Sequence, residues 1–82
     1  MKKSVVVQMS TDFEARPIAK LVQMANSYNS RIYLEVGDSR VNVKSIMGMM
    51  SLALMNGEEV IIDAEGEDEQ QAVETIAKFL TE

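Results

Sequence analysis

The sequence contains no cysteine, no histidine and no tryptophan, and only one proline. Without cysteine, the chain can form no disulfide, use no thiol nucleophile and offer no thiolate to zinc. Without histidine, it lacks the commonest general base and metal ligand in proteins. These absences favour a non-catalytic domain that uses no cofactor and holds no metal.

Long hydrophobic runs and an excess of positive charge are also missing. No apolar run approaches the roughly 20 residues of a membrane span, and no signal-peptide-like stretch follows the first lysines. The formal net charge is −5, whereas nucleic-acid binders have a basic surface. With 82 residues, 46% of them hydrophobic, we expect one small domain over residues 1–82. It should be soluble and cytoplasmic, without direct contacts to nucleic acid or membrane.

Hydrophobic periodicity predicts four strands and three helices. Alternating apolar residues mark strands at residues 4–9, 31–36, 39–43 and 59–65. Helical spacing predicts a first helix that ends near Asn29, a short helix from Ile46 and a last helix near the C-terminus. Strands mixed with helices, and a Gly37-Asp38 hairpin signal, indicate an α+β domain whose antiparallel sheet is covered on one face by helices.

The stretch at residues 41–54 changes from strand period to helical period at Ser45. Serine is a preferred N-cap, and a phosphate on it would face the free N–H groups of the helix start. Ser45 is therefore interpreted either as a cap alone or as a phosphorylation switch. The apolar residues that follow cannot all lie on one buried stripe. We assign Met49, Leu52 and Leu54 to the core, and predict an exposed interaction patch at Ile46, Met47 and Met50.

Charged residues near the helix starts allow further interpretations. Arg16 lies at the start of the first helix, where the dipole disfavours a cation. It either pairs with Glu14 or Asp12, or it forms an anion site with the helix N-terminus. The acidic residues before the last helix are interpreted as a solvated helix start, because they lack the ligand spacing of a calcium loop. They are Glu65, Glu67, Asp68 and Glu69.

Two motifs together resemble HPr, the small phosphocarrier protein of the bacterial sugar phosphotransferase system. One is Ala15-Arg16-Pro17 and the other is VNVKSIMG at residues 41–48, followed by MMSL. The resemblance covers essentially the whole chain. It implies an HPr-like open-faced β-sandwich, βαββαβα, with a four-stranded antiparallel sheet and three helices on one face.

The family's active-site histidine precedes the Ala-Arg-Pro motif, and Glu14 stands at that position here. Phosphoryl relay needs an imidazole nucleophile, so the resemblance implies that this activity is absent and that Arg16 loses its role beside the phosphohistidine. The Crh branch of the family also lacks the histidine and keeps the serine, with glutamine where this chain has glutamate. A fixed negative charge at Glu14 either imitates a phosphorylated active site or pairs with Arg16. It could also weaken binding to the transcriptional repressor that the family's regulatory members bind.

The resemblance further implies that HPr kinase/phosphorylase phosphorylates Ser45 with ATP. The product would bind a LacI-type catabolite repressor as a corepressor. The repressor-facing residues would be Arg16, Ala19, Lys20, Gln23, Ile46, Met47 and Met50. Two alternatives remain: a binding module for a metabolic enzyme that acts without phosphorylation, and a residual phosphocarrier that forms an acyl phosphate on Glu14. The resemblance allows a monomer or a strand-exchanged homodimer.

Overall fold

The computed structural model describes residues 1–8, 15–51 and 57–81, and the side chains of residues 15–17 and of residue 50 are outside that description. The elements in chain order are β1 Lys2–Val6, α1 Ala15–Asn26, β2 Arg31–Val36, β3 Ser39–Asn42, α2 Ile46–Met50, β4 Glu59–Glu65 and α3 Glu69–Thr81. This is the predicted order βαββαβα, and β2 and β4 have the predicted bounds.

The strands form one antiparallel sheet in the order β1-β4-β2-β3. The last strand of the chain, β4, therefore lies between the first two. In this register Val5 is opposite Val60, and Leu34 is opposite Ile62 and Val41. β1 and β3 are the two edges of the sheet, and Ser45 follows the β3 edge.

The core lies between the sheet and the helices. Its strand residues alternate along β2 and β4: Ile32, Leu34, Val60, Ile62 and Ala64. The buried helix residues recur at helical spacing: Ile18, Leu21, Val22 and Ala25 on α1, and Ala72, Val73, Ile76, Ala77 and Leu80 on α3. Burial of each large aliphatic side chain stabilises the fold by about 1.5–3 kcal/mol. The predicted α+β class, with three helices on one face of a four-stranded sheet, is confirmed.

The other face of the sheet carries charged side chains. The Arg40 guanidinium lies 3.2 Å from the Asp63 carboxylate and 3.5 Å from that of Glu35, and 4.3 Å above the Tyr33 ring. The Lys2 ammonium is 3.8 Å from Glu35. Such half-exposed pairs contribute little stability each, but they keep this face polar, so the helices pack only on the opposite one.

Three elements differ from the prediction at their ends. β3 ends at Asn42, one residue before the predicted end of that strand. β1 starts earlier than the predicted strand at residues 4–9, and its ladder ends before Val7. The Val7 amide donates to the Glu58 carbonyl at 2.9 Å, and the Gln8 amide turns to the Leu80 carbonyl of α3 at 2.8 Å. Val7 is fully buried, and the last predicted residue of this strand lies outside the described residues.

The first helix is shorter than predicted. It ends at Asn26, because the amides of Ser27 and Tyr28 donate to the carbonyls of Met24 and Ala25, three residues earlier, which tightens the chain into a turn. The predicted core residues at positions 52 and 54 lie outside the described residues.

Candidate functional site

Ser45 is the N-cap of α2, as its position in the sequence predicts. Its backbone is extended, with φ −101° and ψ 114°, and its carbonyl accepts the first helical bond from the Met49 amide at 3.0 Å. The Gly48 amide donates to the Ser45 Oγ at 3.3 Å. The hydroxyl thus satisfies one of the free N–H groups of the helix start, and the residue is half-buried.

The apolar residues after Ser45 divide between surface and core. Met47 is 83% exposed and Ile46 is 45% exposed, whereas Met49 is fully buried. The predicted core position of Met49 is confirmed. Met50 is the last residue of α2, and its side chain lies outside the described part of the chain. The structure therefore brings two of the three predicted patch residues to the surface beside Ser45, and their contact with a partner stays a prediction.

The other predicted partner-binding residues belong to α1, which packs against α2. Lys20 and Gln23 are exposed and three residues apart, so they share one face of the helix, and Ala19 is half-buried. Arg16 is the second residue of α1, but its side chain is not among those described. Glu14 lies outside the described residues, so the predicted pairing of Glu14 with Arg16 stays untested.

A set of contacts that sequence reasoning missed holds the residue before Ser45. The Lys44 ammonium donates to the Tyr28 carbonyl at 2.6 Å. The Asn26 amide group donates back to the Lys44 carbonyl at 3.2 Å and to the Val22 carbonyl of its own helix at 2.9 Å. We call Asn26, Tyr28 and Lys44 the Lys44 clasp. Asparagine at a helix end is a sequence signal for a cap, but it does not reveal a partner 18 residues away.

The acidic stretch before α3 does more than face solvent. The Asp68 carboxylate accepts hydrogen bonds from the Ser30 hydroxyl and from the amides of Asn29 and Ser30, the amides at 2.8 and 2.9 Å. These donors hold the pKa of Asp68 below its ordinary value, the Ser30 hydroxyl contributing most. The N-terminal ammonium, 3.0 Å from Glu69, likewise lowers the Glu69 pKa. The interpretation as a solvated helix start fits the exposed Glu65 and Glu67, whereas Asp68 and Glu69 are half-buried and bind specific donors.

The described residues also bear on metal binding and membrane insertion. In these parts of the chain, no group of three or more acidic side chains could hold a metal ion. Among the helices described there, none is both long and apolar enough to cross a membrane.

Comparison with known proteins assigns the chain to a family. The family described as "PTS HPr component phosphorylation site" matches residues 1–82. The HPr-like protein Crh of Bacillus subtilis (strain 168) is 46% identical over 82 residues, covering 100% of this chain and 96% of its own. The chain belongs to the HPr family, whose members are phosphocarrier and regulatory proteins rather than enzymes, and within it the chain is Crh-like.

Solved structures support the same family. The crystal structure of the phosphocarrier protein HPr from Bacillus anthracis str. Ames superimposes with a TM-score of 0.91 at 40% identity, covering 98% of this chain and 95% of its own. That of Bacillus subtilis Crh, described as a dimer with a swapping domain, has a TM-score of 0.77 at 49% identity, covering 93% of this chain and 87% of its own. The predicted resemblance and fold are both confirmed.

Proposed function

We propose that the chain is a regulatory HPr-like protein that HPr kinase/phosphorylase phosphorylates on Ser45, and that the product acts as corepressor of a LacI-type catabolite repressor. The observation that supports this best is the position of Ser45 at the start of α2, directly before the exposed side chains of Ile46 and Met47. The half-buried serine hydroxyl thus lies beside an exposed apolar surface of the kind that binds proteins.

The chemistry is a transfer of the γ-phosphoryl group of ATP to the serine oxygen. The Ser45 Oγ–P bond forms, the bond between the β,γ-bridging oxygen and the γ-phosphorus breaks, ADP leaves, and the hydroxyl proton passes to a base of the kinase. In the unmodified protein the Oγ accepts from the Gly48 amide, so the hydroxyl proton is not used in that bond and remains available for donation.

The phosphate changes the charge of a preformed surface. It adds about −1.5 to −2 charges beside Ile46 and Met47. The first turn of α2 carries no acidic residue, so the phosphate meets no like charge within that turn. Basic residues of the repressor would then bind the phosphate by charge-assisted hydrogen bonds, which are roughly twice as strong as neutral ones. The apolar patch and the predicted partner-binding residues of α1, which are Arg16, Ala19, Lys20 and Gln23, complete the proposed docking surface.

Phosphoryl relay to sugars is not part of this function, because no histidine exists in the chain. We infer that Glu14 occupies the place of the family's active-site histidine. We also infer that residues 1–82 form a single HPr-like domain, which acts in the cytoplasm as a monomer or a strand-exchanged homodimer. Its net charge of −5 fits action through the repressor rather than direct contact with DNA.

Mass spectrometry after incubation with ATP and a purified HPr kinase/phosphorylase tests the first step. We expect a gain of one phosphoryl group that is lost in Ser45→Ala. Ser51→Ala is the matched control, since Ser51 is an exposed serine at the other end of α2 and its loss should leave the gain intact. No gain in the wild-type chain would overturn the proposal.

Repressor binding tests the second step and separates the alternatives. Titration with the LacI-type catabolite repressor should show tighter binding to the phosphorylated chain than to the unmodified chain or Ser45→Ala. Equal binding to all three would instead favour a module that acts without phosphorylation. Label transferred from phosphoenolpyruvate by enzyme I, and lost in Glu14→Gln, would favour the acyl-phosphate carrier. Unchanged repressor affinity in phosphorylated Glu14→Gln would remove Glu14 from repressor recognition.

A further inference from the structure

The residue before the candidate phosphorylation site is held at each of its main polar groups. The Asn42 side-chain oxygen accepts from the Lys44 amide at 2.9 Å, and the Lys44 carbonyl accepts from Asn26 at 3.2 Å. The Lys44 ammonium donates to the Tyr28 carbonyl at 2.6 Å. The next amide, that of Ser45, donates to the Asn42 carbonyl at 3.0 Å. The backbone that enters Ser45 is therefore tied both to β3 and to the end of α1.

The two bonds of the Lys44 clasp run in opposite directions, which distinguishes it from a surface contact of one flexible lysine. Asn26, at the end of α1, donates to the Lys44 carbonyl, and the Lys44 ammonium donates to the Tyr28 carbonyl that follows α1. The Tyr28 carbonyl follows the C-terminal end of α1, where carbonyls lack helical partners and a cation is favoured. Lys44 is half-buried, so its bond is partly protected from competing water.

The Lys44 clasp matters because the proposed docking surface has two parts, one on α1 and one at α2. Lys20 and Gln23 are on α1, whereas Ser45 and Met47 are at α2. A partner that binds both parts at once depends on their relative placement, and a preorganised placement avoids an ordering cost on binding. The Lys44 clasp joins the end of α1 to the start of α2.

We propose that Asn26 and Lys44 are positioning residues, which fix phosphorylated Ser45 relative to the partner-facing side of α1 without contacting the phosphate. This inference rests on the proposed function, and it adds two residues that hold the composite surface together. In this role the Lys44 ammonium stays on the Tyr28 carbonyl after phosphorylation and does not move to the new anion.

The test compares phosphorylated variants in titrations with the LacI-type catabolite repressor. Asn26→Ala and Lys44→Gln each break one bond of the clasp, and we expect each to weaken binding by roughly 5- to 20-fold, a coupling of the size that preorganisation supplies. The double variant should bind little worse than either single one, because the two bonds serve one constraint. Lys44→Arg retains a cationic donor for the Tyr28 carbonyl, so it should bind the repressor with an affinity close to that of wild type. Lys3→Gln, an exposed lysine of β1, is the charge-matched control and should bind like wild type.

Tyr28→Phe separates positioning from a general loss of stability. It removes the hydroxyl that is 2.6 Å from the Thr75 hydroxyl, but it keeps the backbone carbonyl that accepts from Lys44. We expect lower stability with unchanged repressor affinity. If Tyr28→Phe lost as much repressor affinity as Asn26→Ala and Lys44→Gln, the loss would reflect general stability rather than positioning. That result would overturn the proposal.

The phosphate itself reports whether Lys44 touches it. In a ³¹P NMR titration, the second phosphate pKa should be the same in wild type and Lys44→Gln. A raised phosphate pKa in Lys44→Gln would mean that the ammonium pairs directly with the phosphate, and the positioning role would be wrong. Wild-type affinity in Asn26→Ala would also overturn the inference while leaving the proposed function intact. If the wild-type chain takes up no phosphoryl group, both fail together.

Discussion

Ser45 is the proposed acceptor of the phosphoryl group, and as the N-cap of α2 it also stabilises the unmodified protein. Ser45→Ala removes the acceptor of the Gly48 amide and should lower the free energy of unfolding by about 1 kcal/mol, the usual cost of losing an N-cap. Ser45→Asp retains a capping oxygen and should stay close to wild type. Urea unfolding monitored by circular dichroism measures both, and an unchanged midpoint in Ser45→Ala would contradict the capping role.

Met47 and Met49 of α2 should respond in opposite ways to truncation to alanine. Met49 is fully buried, so Met49→Ala should cost about 2–5 kcal/mol of stability through lost burial and a cavity. Met47 is 83% exposed, so Met47→Ala should change stability by no more than about 0.5 kcal/mol while weakening repressor binding. Urea unfolding and a repressor titration on the same samples give both results. A large loss of stability in Met47→Ala would mean that its side chain is part of the core.

At the level of elements, Asp68 connects the start of α3 to the loop before β2. Its carboxylate accepts from the Ser30 hydroxyl and from the Asn29 and Ser30 amides, and Ser30 is fully buried. This contact spans 38 residues of sequence, so it ties together two loops that meet only in the folded chain.

The lowered pKa of Asp68 predicts how stability depends on acid. Because the folded pKa is below the ordinary one, the stabilisation is fully present above about pH 4, near the ordinary aspartate pKa. It is lost as the pH falls through the lower folded value. Asp68→Asn should be less stable at neutral pH and should lose less stability on acidification than wild type. Unfolding midpoints measured from pH 7 to pH 2 test this.

Glu67→Gln is the matched control for that pH series, since Glu67 is an exposed neighbour on the same stretch. It should keep the wild-type pH dependence. Glu69, whose pKa the N-terminal ammonium lowers, acts in the same direction as Asp68, so Asp68→Asn should remove only part of the acid dependence. Parallel curves for wild type and Asp68→Asn would show that the Ser30 contact does not stabilise the charged carboxylate.

For the whole molecule, the pairing of β1 with β4 decides how a strand-exchanged dimer would be built. Ser4 and Ile61 are register partners across these strands, and the chain contains no cysteine. Ser4→Cys combined with Ile61→Cys therefore introduces the only thiols, at a spacing that a disulfide can bridge. The oxidised monomer fraction should contain a bond within one chain, and a strand-exchanged dimer should contain bonds between chains.

Separation of the two fractions by gel filtration, followed by a denaturing gel without reductant, makes the distinction. A dimer fraction that runs at twice the chain mass confirms exchange of β1. A dimer fraction that runs at the single-chain mass means that the copies associate without exchange. Reduction before the gel is the control and should return every sample to the single-chain mass.

The elements could be predicted from the sequence because their causes are local. Alternation along residues 31–36 and 59–65 marked strands with those bounds, and helical spacing near the C-terminus marked α3. Ser45 could be recognised as a cap because the change of period lies at that residue. The ends of β1 and α1 were less accurate, since bonds to a distant carbonyl of α3 and a tight turn decide where the ladders stop.

Short-range pattern and composition let the sequence by itself determine the α+β class, the cap at Ser45, the exposed Met47 near the buried Met49, and the absence of histidine. Only the tertiary structure decided which loops meet. The bonds of Lys44 to the end of α1 and of Asp68 to Ser30 join residues 16 and 38 positions apart. No local periodicity encodes such pairs, because they arise only when the packing of the core brings the loops together.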